Sequence, residues 1–493
     1  MARRQTLRSS SRFFVGLGLA ISALGGCDHK LAGDDLTAAR KASCVEPTLA
    51  SAAISKAPLA ELARLAVFGD EGERVAAIVE LRSAGPSGLE AFIAVHRDAL
   101  AAEHVALASS SARGLQERDG GLAAGLQAWL RGPFQNGSEQ GPTALDIAID
   151  AICQQHGCRH TQLYWYTDLD RAVAAARASH RPILSLRLLG DLDEALSCAN
   201  SRFFRTILYP AVAPWLRERF VLHWSSERPV PVITIDYRDG RQLVRTITGN
   251  SVHYVLDSDG QPIDVLPGLM APAVFQRLLE RDAALALSLP SGATERDRAL
   301  RTHHRQRLAE LDVAWAAELR AIGRDPAITR PPTGPRSIVR KPTAAAVNLM
   351  ALGKSSVEMP LLEGLGLGLA GEVPAIDPEF WNRLAERHLG ESALSQASLR
   401  AMNALAPVDA SMRDATVRSL AADTLVNEHQ LHRTVHGWFA EEDASSVGLK
   451  ALNQRIYSEL LLMPASDRDL GLAPLEVYSG LAAGGWSTVP VHP

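Results

Sequence analysis

The feature that most constrains the fold is an ordered succession of short apolar runs and amphipathic stretches between Gln162 and Glu280. It begins with an aromatic run of strand character, Leu163-Tyr164-Trp165-Tyr166. An alanine-rich helix follows from Asp168 to Ser179, with Leu169, Val173 and Ala176 at helical spacing. Pro182 then opens Ile183-Leu184-Ser185-Leu186-Arg187-Leu188-Leu189, an apolar run of strand length closed by Gly190. After an acidic loop comes Cys198, and Phe203, Phe204, Ile207 and Leu208 supply the apolar face of a helix that Ser197 or Asn200 caps. Pro210 and Pro214 are expected to break the pattern ahead of a further strand, Phe220-Val221-Leu222-His223-Trp224. Val252 to Asp257 and Pro262 to Leu266 pair as a hairpin, because Asp259-Gly260 supplies the backbone conformations of a tight turn. Pro272 to Glu280 closes the segment as an amphipathic helix.

Strand, cysteine, helix, strand, hairpin and last helix, in this order, resemble the thioredoxin family over about a quarter of the chain. The resemblance implies an α/β thioredoxin-like central domain, residues 160–285, flanked by mainly α-helical regions. It also implies a thiol-disulfide oxidoreductase-like activity centred on Cys198. Two departures bear on that activity. A dithiol site needs a second thiol to resolve the mixed disulfide, and Cys198-Ala199-Asn200-Ser201 has Ser201 there, so no internal disulfide can close. Asn250-Ser251-Val252-His253 also stands where family members carry a proline in a cis bond. The helix N-terminus and nearby Arg202 are expected to lower the pKa of Cys198 and yield a reactive thiolate, with Ser201 as its hydrogen-bond donor. The competing reading is a thiol packed inside a scaffold that binds a partner without catalysis.

At the N-terminus Arg3, Arg4, Arg8 and Arg12 precede the apolar stretch Phe13 to Leu24 and the sequence Leu24-Gly25-Gly26-Cys27. Residues 1–27 read as a secretory signal peptide. The apolar core, about 12 residues, falls short of the ~20 needed to span a bilayer. Its last four residues resemble a bacterial lipobox, which implies that Cys27 is diacylated on sulfur and becomes the first residue after cleavage. The expectation is a cell-envelope lipoprotein, anchored by lipid to a bacterial membrane and facing the periplasm or the exterior. Export permits oxidised thiols, and Cys44, Cys153, Cys158 and Cys198 remain. Cys153 and Cys158 bracket a local loop eased by Gly157, so they are the favoured disulfide pair. A metal site that adds His156 and His160 is the alternative, although the spacing fits no strong zinc pattern.

The flanks read as helical. Residues 28–151 carry short amphipathic helices, with Leu59, Leu62, Ala63 and Val67 before a break at Ser83-Ala84-Gly85-Pro86-Ser87. Residues 286–323 form a charged amphipathic helix on which His303-His304 is read as solvated. A proline-rich basic linker, 324–343, holds Pro326, Pro331, Pro332, Pro335 and Pro342. Residues 344–493 form a C-terminal helical domain. There Glu428, His432 and His436 fall at i, i+4 and i+8 on one helix face, a candidate metal-ligating set. The alternative is a buried polar seam. No HExxH protease motif arises, since Gln430 follows His429.

A net charge of −4 over 493 residues, 46% of them hydrophobic, excludes a nucleic-acid-binding or disordered chain and allows several cores. No cofactor is expected apart from the lipid on Cys27. The expected partners are the membrane, through that anchor, and an envelope protein. Three functions stand open: a thiol-redox or partner-binding role centred on Cys198, a non-catalytic scaffold, and metal or haem handling by the C-terminal helices.

Overall fold

Side-chain caps fix where several helices begin. The computed structural model describes residues 57–111, 143–246, 250–326, 378–405, 407–441, 448–461 and 463–466. Cys27, Cys44 and most of the 324–343 linker lie outside them. The N-terminal helices are α1 (Leu59–Phe68), α2 (Glu71–Ser83), α3 (Pro86–Ser111) and α4 (Ala144–Cys153). Asp70 and Glu73 form a reciprocal capping box at the start of α2, and Thr143 and Asp146 do the same for α4. These helices close over Leu62, Leu81, Phe92 and Ile149.

The loop after α4 brings Cys153 and Cys158 to disulfide distance, with Cα atoms 6.3 Å apart. Asp150 accepts the backbone N–H groups of Gly157 and Cys158, at 2.9 and 2.8 Å, and so holds the loop closed. Two indoles tie it to the sheet, as Trp165 donates to Gln155 Oε1 and Trp224 to the Gln154 carbonyl, each at 2.8 Å.

Next come β1 (Trp165–Tyr166), α5 (Leu169–Ser179), β2 (Ile183–Leu189), α6 (Ala199–Phe203), α7 (Tyr209–Arg219) and β3 (Val221–Arg228). The proline break expected after Leu208 does not occur. A π turn spans Phe204–Leu208, and the Tyr209 N–H bonds the Phe204 carbonyl five residues back. Pro210, which has no N–H to place, then sits in the first turn of α7, and Pro214 is carried inside the helix. The cap position of α6 is Cys198 itself, without a side-chain cap bond, rather than Ser197 or Asn200.

A hairpin of β4 (Val232–Asp236) and β5 (Gln242–Thr246) forms its own two-stranded sheet. The main sheet resumes with β6 (Ser251–Leu256) and β7 (Pro262–Pro267). Gly260, at φ +80°, makes the turn between them, and Asp257 accepts the N–H groups of Asp259 and Gln261. The five-stranded order is β1-β3-β2-β6-β7. β3 runs parallel to β1 and β2, β6 is antiparallel to β2, and β7 is antiparallel to β6. This is a mixed sheet with helical flanks.

After it come α8 (Pro272–Ser288), α9 (Ala293–Ala321), α10 (Pro378–Ala385), α11 (Gln396–Leu405), α12 (Ala410–Val426), α13 (Arg433–Glu441) and α14 (Gly448–Arg455). The C-terminal helices share one apolar core with the sheet, in which Val435, Phe439, Leu452 and Ile456 join Ile183, Val255 and Phe275. A smaller cluster gathers Trp315, Trp381, Leu384, Leu425 and Val426. Among the described residues, no helix is long and apolar enough to cross a membrane.

Candidate functional sites

Cys198 is fully buried at the start of α6. The Ser201 hydroxyl donates to the Cys198 carbonyl at 2.7 Å. The nearby guanidinium groups are engaged elsewhere, with Arg202 on the Ser197 carbonyl and Thr246 Oγ1, and Arg205 on the Leu192 and Glu194 carbonyls. Burial pushes the Cys198 thiol up, and the hydrogen bonds of Ser201 and the charges of Arg202 and Arg205 oppose this without reversing it. The lowered pKa expected of a helix N-terminus is therefore not realised. Desolvation outweighs the Ser201 hydrogen bonds and the arginine charges.

Where a proline was expected, Ser251 opens β6 and its hydroxyl accepts the Asn200 amide at 2.9 Å. Beyond it His253 bonds the Tyr209 hydroxyl at 2.8 Å between the rings of Phe204 and Phe275. Burial lowers the pKa of His253 to about 3, so the ring is neutral.

The second site lies at the β7 edge of the sheet. β7 presents Asp264, and His432 Nε2 approaches its two carboxylate oxygens at 3.1 and 3.0 Å. One helical turn on, His436 Nδ1 is 3.9 Å from Asp264 Oδ1. The imidazoles of His432 and His436 lie with centroids 4.0 Å apart. From α9, His304 brings its Nδ1 within 2.8 Å of His436 Nδ1 and donates its Nε2–H to the Ile263 carbonyl at 3.0 Å. Each of these four side chains is 2% exposed or less.

Burial raises the carboxyl pKa of Asp264, yet the facing His432, His436 and His304 hold it well below the usual carboxylate range. Burial drives the imidazoles the other way, taking His304 down to about 4 and His436 well below its ordinary value. Asp282, equally buried, is pushed well up by burial and by the charge of Asp264.

Of the three residues aligned in sequence, the structure brings together His432 and His436 but leaves Glu428 out of the group they form with Asp264. Glu428 lies within electrostatic reach of His432 in the π turn Asn427–His432 but outside the group that meets Asp264. His432 and His436 span the α-helical part, and their spacing holds. Glu428 stays partly exposed, its carboxyl pushed up by burial. His304 is a second correction, since it is not solvated but fully buried. Its signal was present: Leu300, His304, Leu311, Trp315 and Leu319 recur along the buried face of α9. Asp264 was missed too, as a lone charge inside the apolar strand Pro262–Pro267. His156 pairs with Asp150 at 3.2 Å, and Cys153 and Cys158 are engaged with each other rather than free for a metal.

No protein-family model matches the chain, and no curated protein or solved structure matches it either.

Proposed function

We propose that this chain is a lipid-anchored envelope protein whose central domain is thioredoxin-like and serves as a binding scaffold, not as a dithiol oxidoreductase. The strand order β1-β3-β2-β6-β7, three parallel strands followed by an antiparallel pair, supports the thioredoxin-like reading together with the cysteine at the start of the helix after β2. The observation that carries the scaffold reading is the complete burial of Cys198. Thiol-disulfide exchange requires a thiolate to approach a substrate sulfur in the open, and resolution requires a second thiol. Here the thiol is enclosed, its ionisation is opposed, and position 201 is serine. The lipid on Cys27 would confine the scaffold, and its envelope partner, to one membrane surface.

Peptide-resolved maleimide labelling of the native chain, compared with the urea-unfolded chain, tests this. Cys198 is expected to label only after unfolding. Native labelling of Cys198 at the rate of a free thiol, or recovery of substrate proteins as mixed disulfides through it, would instead favour the oxidoreductase. The anchor has its own test, since Cys27→Ser is expected to abolish palmitate incorporation and membrane association.

A further inference from the structure

We infer that Asp264, His432 and His436 are the ligands of one divalent transition-metal ion of the zinc class, held in a buried site between the sheet and the C-terminal helices, with His304 as a positioning residue on His436. Donor spacing is the first argument. Ligands about 2.0–2.2 Å from a shared ion cannot lie more than about 4.4 Å apart. His432 Nε2 and Asp264 Oδ2 are separated by 3.0 Å. Asp264, His432 and His436 each direct one donor atom into a space where all three atoms lie within 4.8 Å of one another.

Ring orientation is the second. His304 donates Nε2–H to the Ile263 carbonyl, which fixes the tautomer and turns the Nδ1 lone pair toward His436. His436 Nδ1–H donating to that lone pair accounts for the 2.8 Å contact as a neutral hydrogen bond, and a hydrogen-bond acceptor on the far nitrogen is the usual support of a metal-ligating histidine. The other nitrogen of His436, Nε2, is buried without a hydrogen-bond partner. A cation answers the histidines and the carboxylate together.

The donor set, two imidazoles and one carboxylate, suits zinc better than the oxygen-seeking calcium or magnesium. Burial assigns the role. With the three ligands and His304 shut off from solvent, a substrate has no access to the ion, so the ion is structural. Its ligands come from β7 and from the helical segment that includes α13, and the ion therefore fastens the hairpin edge of the sheet to that segment. This inference does not rest on Cys198, so its failure would leave the scaffold proposal intact.

Metal content of the full chain, purified without chelator, provides the test. About one zinc per chain is expected, removable by a strong chelator with a fall in thermal midpoint that added zinc reverses. Cobalt added to the stripped chain should produce visible d–d absorption that zinc displaces. His436→Gln should weaken binding by at least ~100-fold. Because loss of a ligand can also impair folding, Glu428→Gln serves alongside and should keep full zinc content and the same cobalt spectrum. A folded wild-type chain that carries no metal, gives no cobalt spectrum and is not stabilised by micromolar zinc would overturn the proposal, leaving a hydrogen-bonded cluster. Loss of zinc in Glu428→Gln would overturn the ligand set.

Discussion

Asp264 and Asp282 are the same residue type, both enclosed, on neighbouring elements β7 and α8, yet their carboxyls shift in opposite directions. Asp264 faces three imidazoles and is held in its charged form. Asp282 sees mainly burial and the negative charge of Asp264, with Arg281 and Arg307 too weak a counterweight, and its neutral form is favoured. Cys198 resembles Asp282 in this respect, with two arginines near but turned to carbonyls. Burial therefore suppresses charge at Asp282 and at Cys198, and at Asp264 the facing imidazoles reverse it.

The comparison breaks most visibly at Asp264. Asp264→Ala leaves the imidazoles without their carboxylate and should cost about 3–5 kcal/mol in urea unfolding. A cost near that of a surface substitution would mean that the carboxylate is not held charged.

Acid titration probes the neutral side. His223 and His253 both fall from 6.5 to about 3, chiefly through burial. The unfolded chain takes up these protons near pH 6.5 and the folded chain does not until about pH 3, so stability falls as pH drops through that window. The slope is about 1.4 kcal/mol per pH unit for each histidine. His223→Asn can keep the bond to Ser185 that His223 Nδ1 makes at 2.8 Å while removing one titration. Urea midpoints between pH 6 and 4 should then fall less steeply by about one proton's worth.

A smaller effect is expected at Cys198→Ser, which puts a stronger hydrogen-bonding group into the same enclosure and should cost about 1–3 kcal/mol. The smallest belongs to Asp282→Asn. A carboxyl already favoured as neutral is nearly matched by an amide, and the change should stay within about 1 kcal/mol by urea unfolding. An Asp282→Asn cost equal to that of Asp264→Ala would erase the distinction between the two sites.

Local pattern carried much of the sheet. The apolar run 183–189 and the Asp259-Gly260 turn became β2 and the β6–β7 hairpin within a residue or so of the ends expected. The β4–β5 hairpin was overlooked although Val232-Ile233-Thr234-Ile235 leads to an Asp239-Gly240 turn. The histidine site was legible only in half. His432 and His436 are neighbours by helical spacing, but Asp264 lies 168 residues from His432 in the chain and His304 132 residues from His436. No local periodicity encodes such pairs. Glu428 misled because helical spacing contains no information about which side chains a facing strand meets, and Cys198 because the helix-terminus argument contains no information about what covers the thiol.

The π turn at Asn427–His432 also sits where one continuous helical path changes neighbourhood. Before it, Leu425 and Val426 pack with Trp315 and Trp381, and after it Val435 and Phe439 pack with the sheet. An α-helix advances about 100° per residue, so one extra residue in the turn rotates the downstream face by that amount. The inserted residue acts as a phase shift that lets a single rod serve two cores. Deleting one residue there would keep the segment helical while swinging His436 and Phe439 away from the sheet together, so the packing of the C-terminal helices and the assembly of the buried histidines stand or fall as one event.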